Sequence, residues 1–263
     1  NVHDRMKDRW TFMTQYVEDG HTLEHKLNVL DGTWANRLNS VHSLCGAAGV
    51  CFQHALGVQE HCAGFSPVAA APTCGASGAV PGTISGLASH NGTSVETQVA
   101  ALAASGCVGL VGFSRGPVSG AQAGCGGEVG VAAGMSGAAA ALMLGAKSWE
   151  VVDAAASLNM LNWTGVDCSP TGGYVEYPCA PRNGFAAAGA VLAAELALAG
   201  ARPPYDVDYT FDVIFAVGAE LSKHLRETED GDWAETAIKQ ARPEDSCGKT
   251  PHGETCCQAS SGM

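Results

Sequence analysis

Apolar residues recur at helical spacing from the start of the chain. Met6, Trp10, Met13 and Val17 share one face of a helix expected over residues 4–18, and Gly20 reads as its stop. A second helical segment is expected to reach about Leu30. Residues 46–57 and 78–88 combine small and apolar side chains, the pattern of buried helices, and the loop 61–73 separates them. Thr93-Ser94-Val95-Glu96 reads as a capping box opening a helix that runs to about Ser105 or beyond. Further helices are expected over 128–144, 148–161, 183–198, 207–226 and 232–240. Neither strand alternation nor a βαβ rhythm interrupts them, so the fold class is all-α. The predicted organisation is one helical domain over 1–241 followed by a polar tail, 242–263, rich in Gly, Ser and Thr.

Composition narrows the classes of partner. The formal net charge of −12 and the lack of any basic run argue against nucleic acid and anionic membrane surfaces, which need clustered Lys and Arg. The uncharged window 129–146 is mostly Ala and Gly and is bracketed by Glu128 and Lys147. In a chain whose mean hydropathy is only +0.06, this window reads as a buried helix rather than a membrane span. The 11 cysteines are an odd number in a chain with ample core and no signal-like N-terminus. That combination fits a reducing cytoplasm better than a secreted disulfide framework.

Three of those cysteines lie in sequence unusually rich in Gly and Pro. One segment is Ser119-Gly120-Ala121-Gln122-Ala123-Gly124-Cys125-Gly126-Gly127-Glu128, another Cys168-Ser169-Pro170-Thr171-Gly172-Gly173, and the third Tyr177-Pro178-Cys179-Ala180-Pro181-Arg182-Asn183. Thiolates select zinc or iron–sulfur clusters. The separations of 43 and 11 residues are too long for a zinc knuckle or a ferredoxin run. Spacing alone leaves iron–sulfur, a zinc-bound binding module and buried structural cysteines all open.

Together with Ala71-Pro72-Thr73-Cys74-Gly75-Ala76-Ser77-Gly78-Ala79-Val80-Pro81-Gly82, these segments resemble the alpha chain of iron–sulfur-dependent L-serine dehydratase. The resemblance runs from about Leu44 to Leu225-Arg226-Glu227-Thr228. It implies that Cys125, Cys168 and Cys179 hold a four-iron four-sulfur (4Fe-4S) cluster with one iron open as a Lewis acid. The implied reaction is elimination of water, then ammonia, from L-serine or a related small β-hydroxy acid. A pyridoxal mechanism would need a Schiff-base lysine, and all six lysines lie outside the glycine-rich motifs.

An acidic protein holding an anionic substrate has backbone N–H groups at helix starts to offer it. Thr73, Gly75, Ser77 and Gly78 are candidates for that role, with Ser119 and Gly120 as a facing wall; the same glycines also serve close helix packing. Arg182 and Asn183 are candidates to pair with substrate or cluster, Asn183 equally to start a helix.

Departures from the family pattern bear on the reaction. Ser169 stands where relatives have Asp, which leaves substrate choice open and admits a cysteine desulfidase-like loss of sulfide. The serine-rich histidine motif of the family's beta portion is missing from these 263 residues. Either a separate beta subunit completes the site, with or without homo-oligomers, or a local group such as His42 moves the proton. A cluster-bearing subunit without catalysis is the remaining alternative. Glu128 reads as a partner of the cluster ligands, and Cys256 and Cys257 as either a guard for the open iron or incidental thiols.

Overall fold

A computed structural model describes residues 1–22, 27–30, 33–41 and 46–227. The fold is all-α. Among the described residues nine α-helices follow in order: α1 (Val2–Thr22), α2 (Trp34–Arg37), α3 (Gly46–Ala63), α4 (Ala79–Asn91), α5 (Val95–Arg115), α6 (Gly120–Met143), α7 (Trp149–Met160), α8 (Cys179–Leu198) and α9 (Val207–Glu220). No strand occurs among the described residues; a single parallel bridge joins Cys168 to Arg226.

The Ala- and Gly-rich window becomes α6, the central helix, which is buried along nearly its whole length and packed by α4, α5, α7, α8 and α9. Small residues make this possible because backbones must approach closely. A Cβ at Gly137 would sit 2.6 Å from the Ala155 carbonyl oxygen of α7, and one at Gly82 only 2.4 Å from the Ala55 backbone of α3. Larger side chains fill the rim, with Trp10, Met13, Tyr16 and Val17 of α1 in the main core. Polar ties pin the periphery. Trp10 Nε1 donates to Gln98 Oε1 (2.8 Å), and Arg115 of α5 bridges Asp208 and Asp212 of α9.

Several expected boundaries move, each for a tertiary reason. Gly20 does not stop α1, which continues to Thr22; Gly20 lets α1 cross α3 at Gly57, where a Cβ would meet the carbonyl oxygen at 2.4 Å. Residues 27–30 are not helical: their amides turn to a carboxylate on a distant loop. The cap of α5 is Ser94, whose hydroxyl accepts from the Thr97 amide, in place of the Thr93–Glu96 box. Helix α3 extends to Ala63, and α9 ends at Glu220 rather than near 226. α6 and α8 begin earlier than expected, and this places cysteines on helices. α5 is the one described helix long and apolar enough to cross a membrane, and its Val99, Leu102 and Val108 face the core. The helix expected over 232–240 and the tail 242–263 lie outside the described residues.

Candidate metal centre and active site

α6 is broken at its start. Ala123 (φ −132°, ψ 15°) and Gly124 (φ 66°, ψ −172°) leave helical geometry, so Cys125 opens the long second half of the helix. Gly124 is needed there both for its positive φ and because a Cβ would lie 2.6 Å from the Val166 carbonyl oxygen. Cys179 is the first residue of α8. Two of the three predicted ligands thus stand at the positive ends of helices, where a sulfur anion is favoured. Cys168 lies between them in a loop, its amide donating to the Leu225 carbonyl (2.8 Å) and its carbonyl accepting from the Glu227 amide.

These elements converge. The ligating atoms of Cys125, Glu128 and Cys168 all lie within 4.8 Å of one another, and all three residues are buried. Cys179 lines the same cavity as Cys168 and Glu128 and feels the charge of Cys125. The cavity holds about 290 Å³ and is walled further by Thr73, Gly75 and Ser119, with Glu227 at its edge. Two glycines keep it open. A Cβ at Gly120 would come within 2.6 Å of Cys168 Sγ, and one at Gly75 within 2.6 Å of Glu128 Oε1.

The electrostatics suit a cation bound by sulfur. The adjacent Cys168 sulfur holds Cys125 below the ordinary thiol range and is itself held above it, and the nearby Arg182 guanidinium adds to the lowering at Cys125. Burial, then the charge of Cys125, pushes Cys179 up. Glu128 is raised by burial against the opposing hydrogen bond from Thr73 Oγ1 (2.5 Å). Three buried thiols and the buried Glu128 carboxylate gather beside one guanidinium, so holding them charged together calls for a further positive centre. The hydroxyls of Ser169 and Thr171, on the loop leaving Cys168, are buried without a protein partner, so each keeps a hydrogen bond to give. The donor set therefore fits a thiolate-bound metal cluster.

Residues 1–232 match the family described as serine dehydratase alpha chain. The chain belongs to this family. It is 35% identical over 182 residues to "Probable L-serine dehydratase, alpha chain" of Bacillus subtilis, covering 69% of this chain and 60% of that protein. It is 36% identical over 188 residues to "L-serine dehydratase" of Streptomyces coelicolor, covering 71% and 41%. The alpha chain of Latilactobacillus sakei, also named a probable L-serine dehydratase, is 32% identical over 184 residues, 70% of this chain and 88% of that one. The chain thus spans less than two thirds of the first two relatives.

The remaining candidates separate into two groups. Thr73, Gly75 and Ser119 line the cavity. Ser77 is buried and hydrogen-bonds the Cys74 carbonyl and Gln59, while the Gly78 amide, like that of Ala79, donates to Asn183 Oδ1 (both 3.0 Å). Asn183 Nδ2 donates to the carbonyls of Gly75 and Cys179, so this buried side chain ties the 73–79 loop to α8. The start of α4 is capped from within the protein. Arg182 turns to Asp167, with 2.7 Å to its carbonyl and 2.9 Å to its carboxylate, and lines a second, larger apolar cavity of about 790 Å³. His42 lies outside the described residues.

Two acidic residues escaped the sequence reading. Glu176 is buried between the second and third cysteines and accepts from the amides of Asn28, Val29 and Leu30 and from the Asn28 side chain, all within 3.0 Å. Glu227 stands in the Leu-Arg-Glu-Thr segment that marked the end of the resemblance. An acid embedded in each matching motif was the available signal.

Proposed function

We propose that this chain is the catalytic alpha portion of an L-serine dehydratase, removing water from L-serine and releasing the product as an α-keto acid and ammonia. Cys125, Cys168 and Cys179 would hold the 4Fe-4S cluster. The observation that carries the reading is the gathering of buried sulfurs, Cys125 beside Cys168 and Glu128, and Cys168 and Cys179 on one cavity wall, in a chain of this family. When bound, such a cluster with one open iron supplies a Lewis acid for hydroxyl and carboxylate oxygens.

The protein's part is to shape and dry the cavity. Gly75 and Gly120 leave room beside Glu128 and Cys168. Thr73 holds Glu128 in place through its hydroxyl, and Asn183 keeps the loop bearing Thr73 and Gly75 against the helix bearing Cys179. Elimination also needs an acceptor for the α-proton. The described lining residues include no His or Lys; His42 and a separate beta subunit carrying a serine-rich histidine segment are the candidates for that base. No disulfide joins any of the seven described cysteines, which supports a reducing, cytoplasmic setting.

Anaerobic reconstitution with iron and sulfide, followed by an assay for keto acid from L-serine with and without the beta chain, tests the proposal. Pyruvate formation together with loss of bound iron in Cys125→Ser, Cys168→Ser and Cys179→Ser, but not in Cys107→Ser, is expected. Iron retained by all three variants would remove the ligand assignment; no keto acid from serine, threonine or cysteine would remove the activity.

A further inference from the structure

The cavity wall carries two carboxylates, Glu128 and Glu227, and among its described lining residues no Lys, Arg or His. The two acids are engaged differently. Glu128 is buried, receives the Thr73 hydroxyl and lies 3.9 Å from Cys168 Sγ, so its acceptor capacity is directed inward. Glu227 arrives from the segment beyond α9, its amide fastened to the Cys168 carbonyl beside the Cys168–Arg226 bridge. Its backbone sits at φ 51°, in the left-handed region that residues with a side chain seldom adopt. A strained residue held on a loop at a cavity is a recurrent mark of a functional role. The Glu227 carboxylate is exposed, has no hydrogen-bond or ion-pair partner among the described residues, and its charge reaches both Glu128 and Cys179.

A zwitterionic amino acid presents three polar groups. Its carboxylate and hydroxyl oxygens suit a Lewis acid, whereas its ammonium is repelled by a cation and needs an anionic acceptor. We propose that Glu227 binds the substrate's α-ammonium group and so selects an amino acid over the corresponding acid that lacks the amine. This rests on the dehydratase reading above and adds the residue that reads the amine.

The test uses the cluster-loaded chain, with the beta chain where turnover needs it, and compares wild type, Glu227→Gln and Glu227→Asp. Gln keeps the side-chain length and leaves the backbone bridge intact. The KM for L-serine is expected to rise by about 10- to 100-fold in the Gln variant, as for loss of a charge-assisted hydrogen bond, with the Asp variant recovering part of it. Inhibition by β-hydroxypropionate, the same skeleton without the amine, is expected to stay within about twofold of wild type. Equal weakening of both ligands, or of neither, would overturn the assignment. Calorimetric binding of L-serine and β-hydroxypropionate gives the same comparison without turnover. A wild type that makes no keto acid therefore sinks the dehydratase reading, while selective loss of L-serine binding in the Gln variant still supports Glu227 as the ammonium site.

Discussion

Asn183 Oδ1 lies 3.0 Å from the Gly78 amide, so a side chain from the first turn of α8 caps a helix 105 residues earlier in the chain. The same carboxamide receives the Ala79 amide and donates to the Gly75 and Cys179 carbonyls, leaving all four of its hydrogen-bonding positions satisfied. The loop that walls the cavity and the helix that carries Cys179 are held as one unit by this residue.

Asn183→Ala strands two buried donors at the start of α4 and removes the side-chain bond to the Gly75 carbonyl. At about 1–3 kcal/mol for an unmet buried group, with α4 free to relax, a net loss of about 3 kcal/mol is expected. Denaturant unfolding measures it, and iron per chain should fall in parallel. An unchanged unfolding midpoint would show that Asn183 is not the tie.

Glu176 should act at a distance from its own loop. Replacing it by Ala releases the amides of Asn28, Val29 and Leu30. Their hydrogen exchange is expected to accelerate by about 100-fold, corresponding to about 3 kcal/mol of lost local protection. Exchange confined to wild-type rates would mean that other contacts hold the segment.

Gly120→Ala is a steric test of the cavity. The new methyl would meet Cys168 Sγ at 2.6 Å and Glu128 Oε2 at 3.0 Å, so Cys168 must move. Loss of most bound iron with a helical circular dichroism spectrum close to wild type is expected, because the clash is local to the sulfur. Full iron content would show that the loop gives way at no cost to ligation.

Glu60, buried beneath the start of α2, reports on pH. Burial pushes its carboxyl up to about 7, against opposing hydrogen bonds from the Ala35 and Trp34 amides. A folded-state value above the unfolded one means that the native protein binds the proton more tightly. The contribution is present in full below about pH 4.5 and is lost as pH rises toward 7. At about 1.4 kcal/mol per unit it amounts to about 3 kcal/mol. Across that window the wild type should lose stability relative to Glu60→Gln as pH rises, read from the difference in their unfolding free energies; a constant difference would show that Glu60 does not titrate there.

The helical class, the buried nature of residues 129–143, the three cysteine segments and the glycines that allow close packing were all legible in the chain, because each depends on local periodicity or on the size of single residues. Thr73, Gly75 and Ser119 were legible as cavity residues on the strength of their motifs. What the chain could not disclose by itself was who meets whom. That Asn183 caps α4, that Arg182 faces Asp167 and that Glu176 gathers residues 27–30 depend on pairs separated by 15 to 148 residues. Such pairings arise only when close packing around α6 brings distant segments within hydrogen-bonding reach and every buried polar group must find a partner there.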